Sequence, residues 1–383
     1  MTEKLYYKDA YIKEFTSEVI SCERTDGGYL VVLSETAFFP EEGGQYSDRG
    51  TLSGASVLSV SEKDGVIYHL TDEPLPVGST AEGKIDFDER FEKMQCHTAE
   101  HILSGLIHST FGYSNVGFHL GADEVTMDIS APLCEAELSE IERRANEVVF
   151  ENVEVEELYP SPEELSGIEY RSKLDMTENV RIVKIGEYDS CACCAPHVSK
   201  TGQIGMIKLI SCMRYKGGTR IHLKCGFDAL DEFNDEFDRA TAISNMISEP
   251  RENIAEGVKK LLGDINEYKH EIYELKKKML SMKIDAVKPK NGRIVYVDDG
   301  MDMVELRSFV NAKLDECEKF CIAFSGNDED GYTYVLGYRG EDFNEFVKNK
   351  ISMLGQGGGG GKPPFAQGKV KCKKSDIDTL WLD

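Results

Sequence analysis

The sequence predicts an α+β chain built from four successive parts, and three observations carry that prediction. The opening stretch alternates apolar and polar positions in short runs broken by glycine-rich turns. From Asp86 the period becomes helical, with His97 and His101 four positions apart on it. Beyond Asp228 the chain is highly charged and settles into an apolar heptad, followed by a mixed segment that ends in a glycine run. The implied parts are an N-terminal antiparallel β-barrel-like domain at 1–85, an α+β domain at 86–228, a helical coiled-coil linker at 229–288 and a C-terminal α/β domain at 289–383.

The barrel rests on Tyr29 to Leu33, Ala55 to Val60 and Val66 to Leu70, with Asp26-Gly27-Gly28 and Asp64-Gly65 as hairpin signals. Within it, Pro40 to Gln45 is a loop whose Gly43 and Gly44 allow close approach of a ligand to backbone. The helix from Asp86 is marked by Phe91, Met94, Ile102, Leu103 and Leu106. A strand at Val125 to Ile129, a helix through Leu138, Ile141 and Val149, and strands at Val180 to Ile185, Gly205 to Ile210 and Thr219 to Leu223 complete the second part.

In the linker, Ile254, Val258, Leu261, Ile265, Tyr268 and Ile272 open a seam that continues to Met282 in alternating steps of four and three. Such a helix packs against another helix, either a neighbour in the chain or its copy in a second subunit. The last part shows strands at Arg293 to Val297, Cys321 to Phe324 and Tyr332 to Tyr338, and a helix through Phe343, Phe346 and Ile351. Its run Gly355 to Gly361, followed by Lys362 and two prolines, reads as a backbone-amide loop for anions or RNA rather than as a flexible linker.

Two motifs carry chemistry. In His97-Thr98-Ala99-Glu100-His101 both imidazoles share one helix face, and in Cys193-Cys194-Ala195-Pro196-His197 a thiolate and a third imidazole close a tight loop. Two imidazoles, a thiolate and another imidazole suit zinc. The first motif alone also matches the inverted zinc-peptidase pattern, in which Glu100 would activate water, so a metallopeptidase stands as an alternative. That class completes its site with a carboxylate, whereas the downstream candidates here are sulfur and imidazole. A noncatalytic RNA-binding or assembly protein in which zinc is structural is the other alternative.

The 11 cysteines, an odd number clustered at Cys191, Cys193 and Cys194, fit reduced thiols better than a disulfide framework. With no signal-like leader and no apolar run that spans a bilayer, a cytoplasmic protein is expected. A net charge of -25 opposes nonspecific affinity for nucleic acid. Two basic stretches stand apart from it: Lys208, Arg214, Lys216 and Arg220 with no acidic residue among them, and Lys362, Lys369, Lys371, Lys373 and Lys374 near the end. They are the places for phosphate contacts.

Four ordered segments, Thr36 to Gln45, His97 to His101, Cys193 to Gly205 and the glycine-rich tail with Ala366-Gln367, resemble the AlaX-type proteins in their long form, freestanding relatives of the editing and C-terminal regions of alanyl-tRNA synthetase. The resemblance implies a zinc editing domain of the threonyl/alanyl-tRNA synthetase type and a C-terminal DHH-associated type domain that binds RNA or dimerises. It implies hydrolysis of mischarged tRNA(Ala), chiefly the seryl and also the glycyl ester, with Ala-tRNA(Ala) spared. It places zinc on His97, His101, Cys193 and His197, serine discrimination on Thr36, and substrate approach on Gly43, Gly44 and Gln45. Glu100 is the candidate general base, although its helical position also suits a side chain that faces solvent. The acceptor end of tRNA(Ala) is the expected partner, with Arg214, Lys216, Arg220, Lys362, Lys369 and Lys371 as contacts and a homodimer through the C-terminal region. Two departures stand out: the usual Cys-Gly-Gly-Thr-His is here Cys193 to His197 without glycine or threonine, and Cys191 or Cys194 competes for the metal.

Overall fold

A computed structural model describes residues 1–121, 124–172 and 180–381; Leu382, which closes the apolar tail in the sequence, lies outside them. The chain forms two compact units, Met1–Ala242 and Ile243–Asp383.

In the first unit, Glu14–Thr25, Gly28–Leu33, Val66–Thr71, Ala55–Lys63, Gly50–Leu52 and Thr80–Ile85 pair in that order into a closed barrel. Strand alternation builds it: along Thr80–Ile85 every second residue is buried. Gly83 is one of these, and a Cβ there would sit 2.3 Å from the Phe15 ring, so the inward position admits only glycine. Val19, Val31, Leu33, Leu52, Val60 and Ile67 fill the interior.

The histidine helix runs Phe87–Phe111. Asp88 and Glu89 favour its N-terminal dipole, and Gly112, at φ 73°, ends it in the left-handed region. Most residues from Met94 to Ile107 are buried, because the helix is enclosed by helix Glu135–Glu151, by a sheet ordered Ile207–Tyr215, Gly218–Cys225, Val125–Ile129, Asn115–Leu120, and by the sheet Val155–Leu158, Ile182–Ile185, Asp189–Ala192. Its first turns clamp the barrel. Fully buried Arg90 donates from Nε to both Asp48 oxygens at 2.9 Å and from Nη2 to Ala37 O at 2.7 Å. Lys93 donates to Ser47 O at 2.8 Å with its ammonium 3.6 Å from the Tyr46 ring centroid. Buried charges persist only when paired and hydrogen-bonded. This network therefore fixes the loop carrying Gly43, Gly44 and Gln45 against the histidine helix.

In the second unit, a sheet runs Arg293–Asp298, Phe320–Asn327, Gly331–Tyr338, Phe365–Lys371, Gln356–Lys362. The first pair is parallel, with helix Met303–Lys313 between its strands in sequence, and the rest are antiparallel. The glycine run is thus neither an anion-binding loop nor a linker but an edge strand, Gly357 facing Val370 and Gly361 facing Ala366. A Cβ at Gly359 or Gly361 would fall 2.4 and 2.1 Å from neighbouring atoms, whereas Gly358 and Gly360 have open space. Alternate glycines are therefore sterically required by the neighbouring strand. Helix Ile254–Ala286 packs Leu280, Ile284 and nearby Val287 onto this unit's core, while its heptad seam stays exposed from Val258 to Met282. Among the described residues, no helix is long and apolar enough to cross a membrane.

Candidate metal centre

His97, His101, Cys193 and His197 converge, with one donor atom from each within 4.8 Å of all the others. The residues come from the enclosed helix and from the loop after strand Asp189–Ala192, which the same helix faces. Gly105 allows that approach: a Cβ there would lie 2.2 Å from Tyr188 O.

Each imidazole is held at Nδ1 by a different protein group. His97 Nδ1 meets Gln45 Oε1 at 3.0 Å, and His101 Nδ1 meets Asp189 Oδ2 at 2.9 Å. His197 Nδ1 meets Thr98 Oγ1 at 3.1 Å; that hydroxyl spends its proton on Met94 O at 2.7 Å and so accepts from the ring. All three Nδ1 atoms therefore act as donors, which leaves the three Nε2 lone pairs for an ion. Orienting partners of this kind are the usual companions of metal-bound histidine. Cys193 Sγ lies 3.6 Å from His97 Nε2 and 3.3 Å from His197 Nε2. A tetrahedral ion with zinc-like bond lengths separates sulfur and nitrogen by about 3.6 Å, so the donor set fits zinc.

The electrostatics of the donors differ: burial opposes protonation of His101, but its bonds to Asp189 and Cys193 and nearby Glu100 outweigh it and raise the ring well above its ordinary value. Burial opposes ionisation of Cys193, but His97, His197 and the bonds from His101 and His197 outweigh it and hold the thiol well below its ordinary value. Burial lowers His197 to about 3, keeping the ring neutral as a ligand must be. For Cys194, burial and the nearby Cys193 thiolate and Glu42 raise the thiol, and its side chain packs against the barrel core. Burial also raises Cys191, which groups with His101 and Asp189 apart from the other three donors.

Glu100 does not face solvent. It is 5% exposed, and its Oε1 accepts from Ser104 Oγ at 2.6 Å and from Asn115 Nδ2. Its Oε2 lies 3.9 Å from His101 Nε2, the atom turned toward the other donors. Gln45, fully buried, has no partner for its Nε2 among the described residues. Gly43 and Gly44 lie in the same loop at φ 65° and 86°; a Cβ on Gly44 would strike Phe118 O at 2.3 Å. Phe118 in turn lies 4.9 Å from the His97 ring.

Thr36 sits in the barrel interior. His69 Nδ1 is 3.1 Å from Val31 O and must donate there, so its Nε2 accepts the Thr36 hydroxyl proton at 2.8 Å. Thr36 Oγ1 also accepts from Phe38 N–H at 3.1 Å.

The first basic stretch is not free of acid in space. Arg220 grips Asp128 with two bonds of 2.7 and 2.8 Å, Lys208 meets Glu142 at 2.7 Å and Lys224 meets Glu232 at 2.7 Å. Arg214 and Lys216, at the hairpin end, make no ion pair with a described residue. Lys362, Lys369 and Lys371 lie on the glycine hairpin, Lys369 and Lys371 beside a cleft of about 510 Å³ that Gly357 and Gly358 also line. The sequence offered no reason to single out Asp189, Thr98 or Ser104 as supports of this centre; Ser114 and Asn115 stand where the family resemblance suggests an active-site polar residue, too loosely to assign either, and it is Asn115 that reaches Glu100.

Residues 180–222 match the model of the threonyl and alanyl tRNA synthetase second additional domain. The whole chain aligns at 27% identity with 98% of the alanyl-tRNA editing protein AlaX-L of Pyrococcus horikoshii. It aligns over 97% of its length with the alanine–tRNA ligases of Pyrococcus abyssi, at 31% identity, and Methanobrevibacter smithii, at 30%. Those alignments span 42% and 44% of the ligases, less than half of each. The chain is thus similar from end to end to an AlaX-type editing protein and over nearly its whole length to part of alanine–tRNA ligase, and the segment 180–222, which carries Cys193 and His197, is similar to the second additional domain of threonyl and alanyl tRNA synthetases.

Proposed function

We propose that this protein is a cytoplasmic trans-editing hydrolase that cleaves the aminoacyl ester of mischarged tRNA(Ala), chiefly Ser-tRNA(Ala) and also Gly-tRNA(Ala), and spares Ala-tRNA(Ala). The observation that carries the reading is the cluster of three Nε2 atoms and one Sγ, flanked by a Gln45 Nε2 that has no partner among the described residues and by a clamped Glu100. The likeness to an alanyl-tRNA editing protein supports an aminoacyl-tRNA(Ala) substrate for that cluster.

Zinc on His97, His101, Cys193 and His197 would supply fixed positive charge beside the ester. Four protein ligands fill a tetrahedral ion, so proton transfer falls to the protein. Glu100 takes the proton of the attacking water at Oε2, while Ser104 and Asn115 hold Oε1 in place. Gln45 Nε2 donates to the carbonyl oxygen as it gains charge; a buried donor without a partner is suited to a group that arrives only with substrate. The exposed backbone of Gly43 and Gly44 is offered to the terminal adenosine, with the missing Gly44 side chain making way for Phe118 O. Thr36, its proton committed to His69, retains a lone pair for a serine hydroxyl, and a site that binds a hydroxyl rejects the analogue lacking it.

The tRNA is held by Arg214 and Lys216 on the hairpin of the first unit and by Lys362, Lys369 and Lys371 on the glycine hairpin of the second, with Arg220 bracing its own strand through Asp128. The domain assignment that goes with this reading is the four-part division of the chain, with a C-terminal part of the DHH-associated type. A metallopeptidase needs a carboxylate among the ligands, and the nearby Asp189 instead binds His101 Nδ1 and Arg171. The test is serine release from Ser-tRNA(Ala) with Ala-tRNA(Ala) alongside. Rapid serine release with alanine retained is expected; tRNA bound with the seryl ester intact would instead support a zinc-stabilised binding protein.

A further inference from the structure

The loop from Cys193 to His197 contains no glycine, and no residue from Cys193 to Pro196 takes a positive φ. Its backbone is gripped by the side chain of Arg181, which is 7% exposed and stands one residue ahead of strand Ile182–Ile185. Arg181 Nη1 donates to Cys193 O at 2.8 Å and to Ala195 O at 2.9 Å, the carbonyls on either side of Cys194. The Arg181 carbonyl accepts from Cys193 N–H at 3.0 Å, which extends by one pair the ladder that joins Ile182 to Ala192. On its other flank the guanidinium donates from Nε to Glu157 Oε2 at 3.2 Å and lies 5.5 Å from the Tyr7 ring centroid. At the far end of the loop, Thr98 Oγ1 meets His197 Nδ1 and accepts from Val198 N–H at 3.2 Å.

We propose that Arg181 is a positioning residue for the metal, one that aims Cys193 Sγ at the three Nε2 atoms by fixing the backbone of residues 193–195 to the sheet. The inference rests on the reading that zinc occupies the cluster of His97, His101, Cys193 and His197. Three hydrogen bonds tie this short segment to one residue, and the strand ladder fixes that residue in turn. The thiolate so placed lies 3.3 Å from His197 Nε2 and 3.6 Å from His97 Nε2. Buried carbonyls need partners, and a planar guanidinium with five donors meets two of them and a carboxylate at once. An ammonium on a flexible stem does not reproduce that fork. A ligand is held to its geometry by the groups that support it, so loosening the loop at Arg181 loosens the sulfur.

Zinc affinity, measured by competition with a chromophoric chelator, and the absorption spectrum of the cobalt(II)-substituted protein test this, both taken without tRNA. Arg181→Lys should keep its native circular dichroism, bind zinc about tenfold or more weakly and show a weakened or displaced sulfur-to-cobalt charge-transfer band. Arg293→Lys alters another buried arginine, one that donates to Leu380 O at 3.1 Å in the second unit, and should leave both readouts native even where stability falls. If Arg181→Lys does not fold, Glu157→Gln decides in its place: it removes the charge that holds the guanidinium, and a several-fold loss of zinc affinity is expected. Native zinc affinity and a native cobalt spectrum in folded Arg181→Lys, or native affinity in Glu157→Gln where the first variant does not fold, would overturn the proposal. An equal loss in Arg293→Lys would overturn it as well, by making lost stability the cause. Absence of serine release bears on the editing reading alone, whereas a native protein that takes up neither zinc nor cobalt would overturn the metal reading and this proposal together.

Discussion

The metal cluster and the basic stretch at Lys208 to Arg220 part company once the chain is folded. The four donors come from residues up to 100 positions apart and converge, each imidazole oriented by a separate partner. The cations are neighbours in sequence and lose their common character, because Glu142 and Asp128 arrive from elsewhere to pair with Lys208 and Arg220 while Arg214 and Lys216 make no ion pair with a described residue. A ligand pattern constrains geometry and so survives folding as a unit. A charge run constrains nothing about what packs beside it, and its net charge in space is set by other segments.

The comparison can be broken or sharpened at three points. The largest effect is expected at Glu100, whose clamped carboxylate separates a working centre from a merely structural one. Glu100→Gln should lower serine release roughly 100-fold or more while zinc content and fold are retained. Unchanged turnover would remove Glu100 from the chemistry. Next comes the orienting partner: Asp189→Asn should weaken zinc affinity by about 10- to 100-fold, measured by competition with a chromophoric chelator, because His101 loses its ionised acceptor. Zinc retained at native affinity would mean that the Nδ1 contacts do not support the ligands. The smallest effect belongs to the cations. Arg214→Ala/Lys216→Ala should raise KM several-fold and flatten its salt dependence, whereas Lys208→Ala, whose charge Glu142 already balances, should leave both nearly unchanged. Equal losses from the two variants would show that spatial neutralisation does not decide phosphate contact.

What was legible in the sequence follows the same division. Helical spacing exposed His97 and His101, and the Cys193–His197 loop announced its donors. Asp189 was not legible, because it reaches His101 only after a strand packs against the helix at Gly105, and a glycine within a helix does not say what approaches it. Glu100 looked solvent-facing by helical position alone, yet this helix is enclosed almost all round. Helix Met303–Lys313 is signalled in the sequence mainly by its start, where Asp302 and Glu305 form a capping box. The glycine run was read as a loop because glycine weakens isolated strands; here Phe365–Lys371 supplies the pairing and its crowding demands residues without side chains. The heptad and three barrel strands, Gly28–Leu33, Ala55–Lys63 and Val66–Thr71, show in the apolar pattern, whereas Glu14–Thr25, Gly50–Leu52 and Thr80–Ile85 complete the barrel without having been predicted from it.

The central claim is that one metal ion, held by His97, His101, Cys193 and His197, sits at the hydrolytic centre. Elemental analysis of zinc per chain, paired with serine release from Ser-tRNA(Ala), for the native protein and for Cys193→Ala tests it most directly. Close to one zinc per native chain is expected, with both zinc and serine release lost in a variant that keeps its native circular dichroism. A variant that releases serine at the native rate without zinc would contradict it.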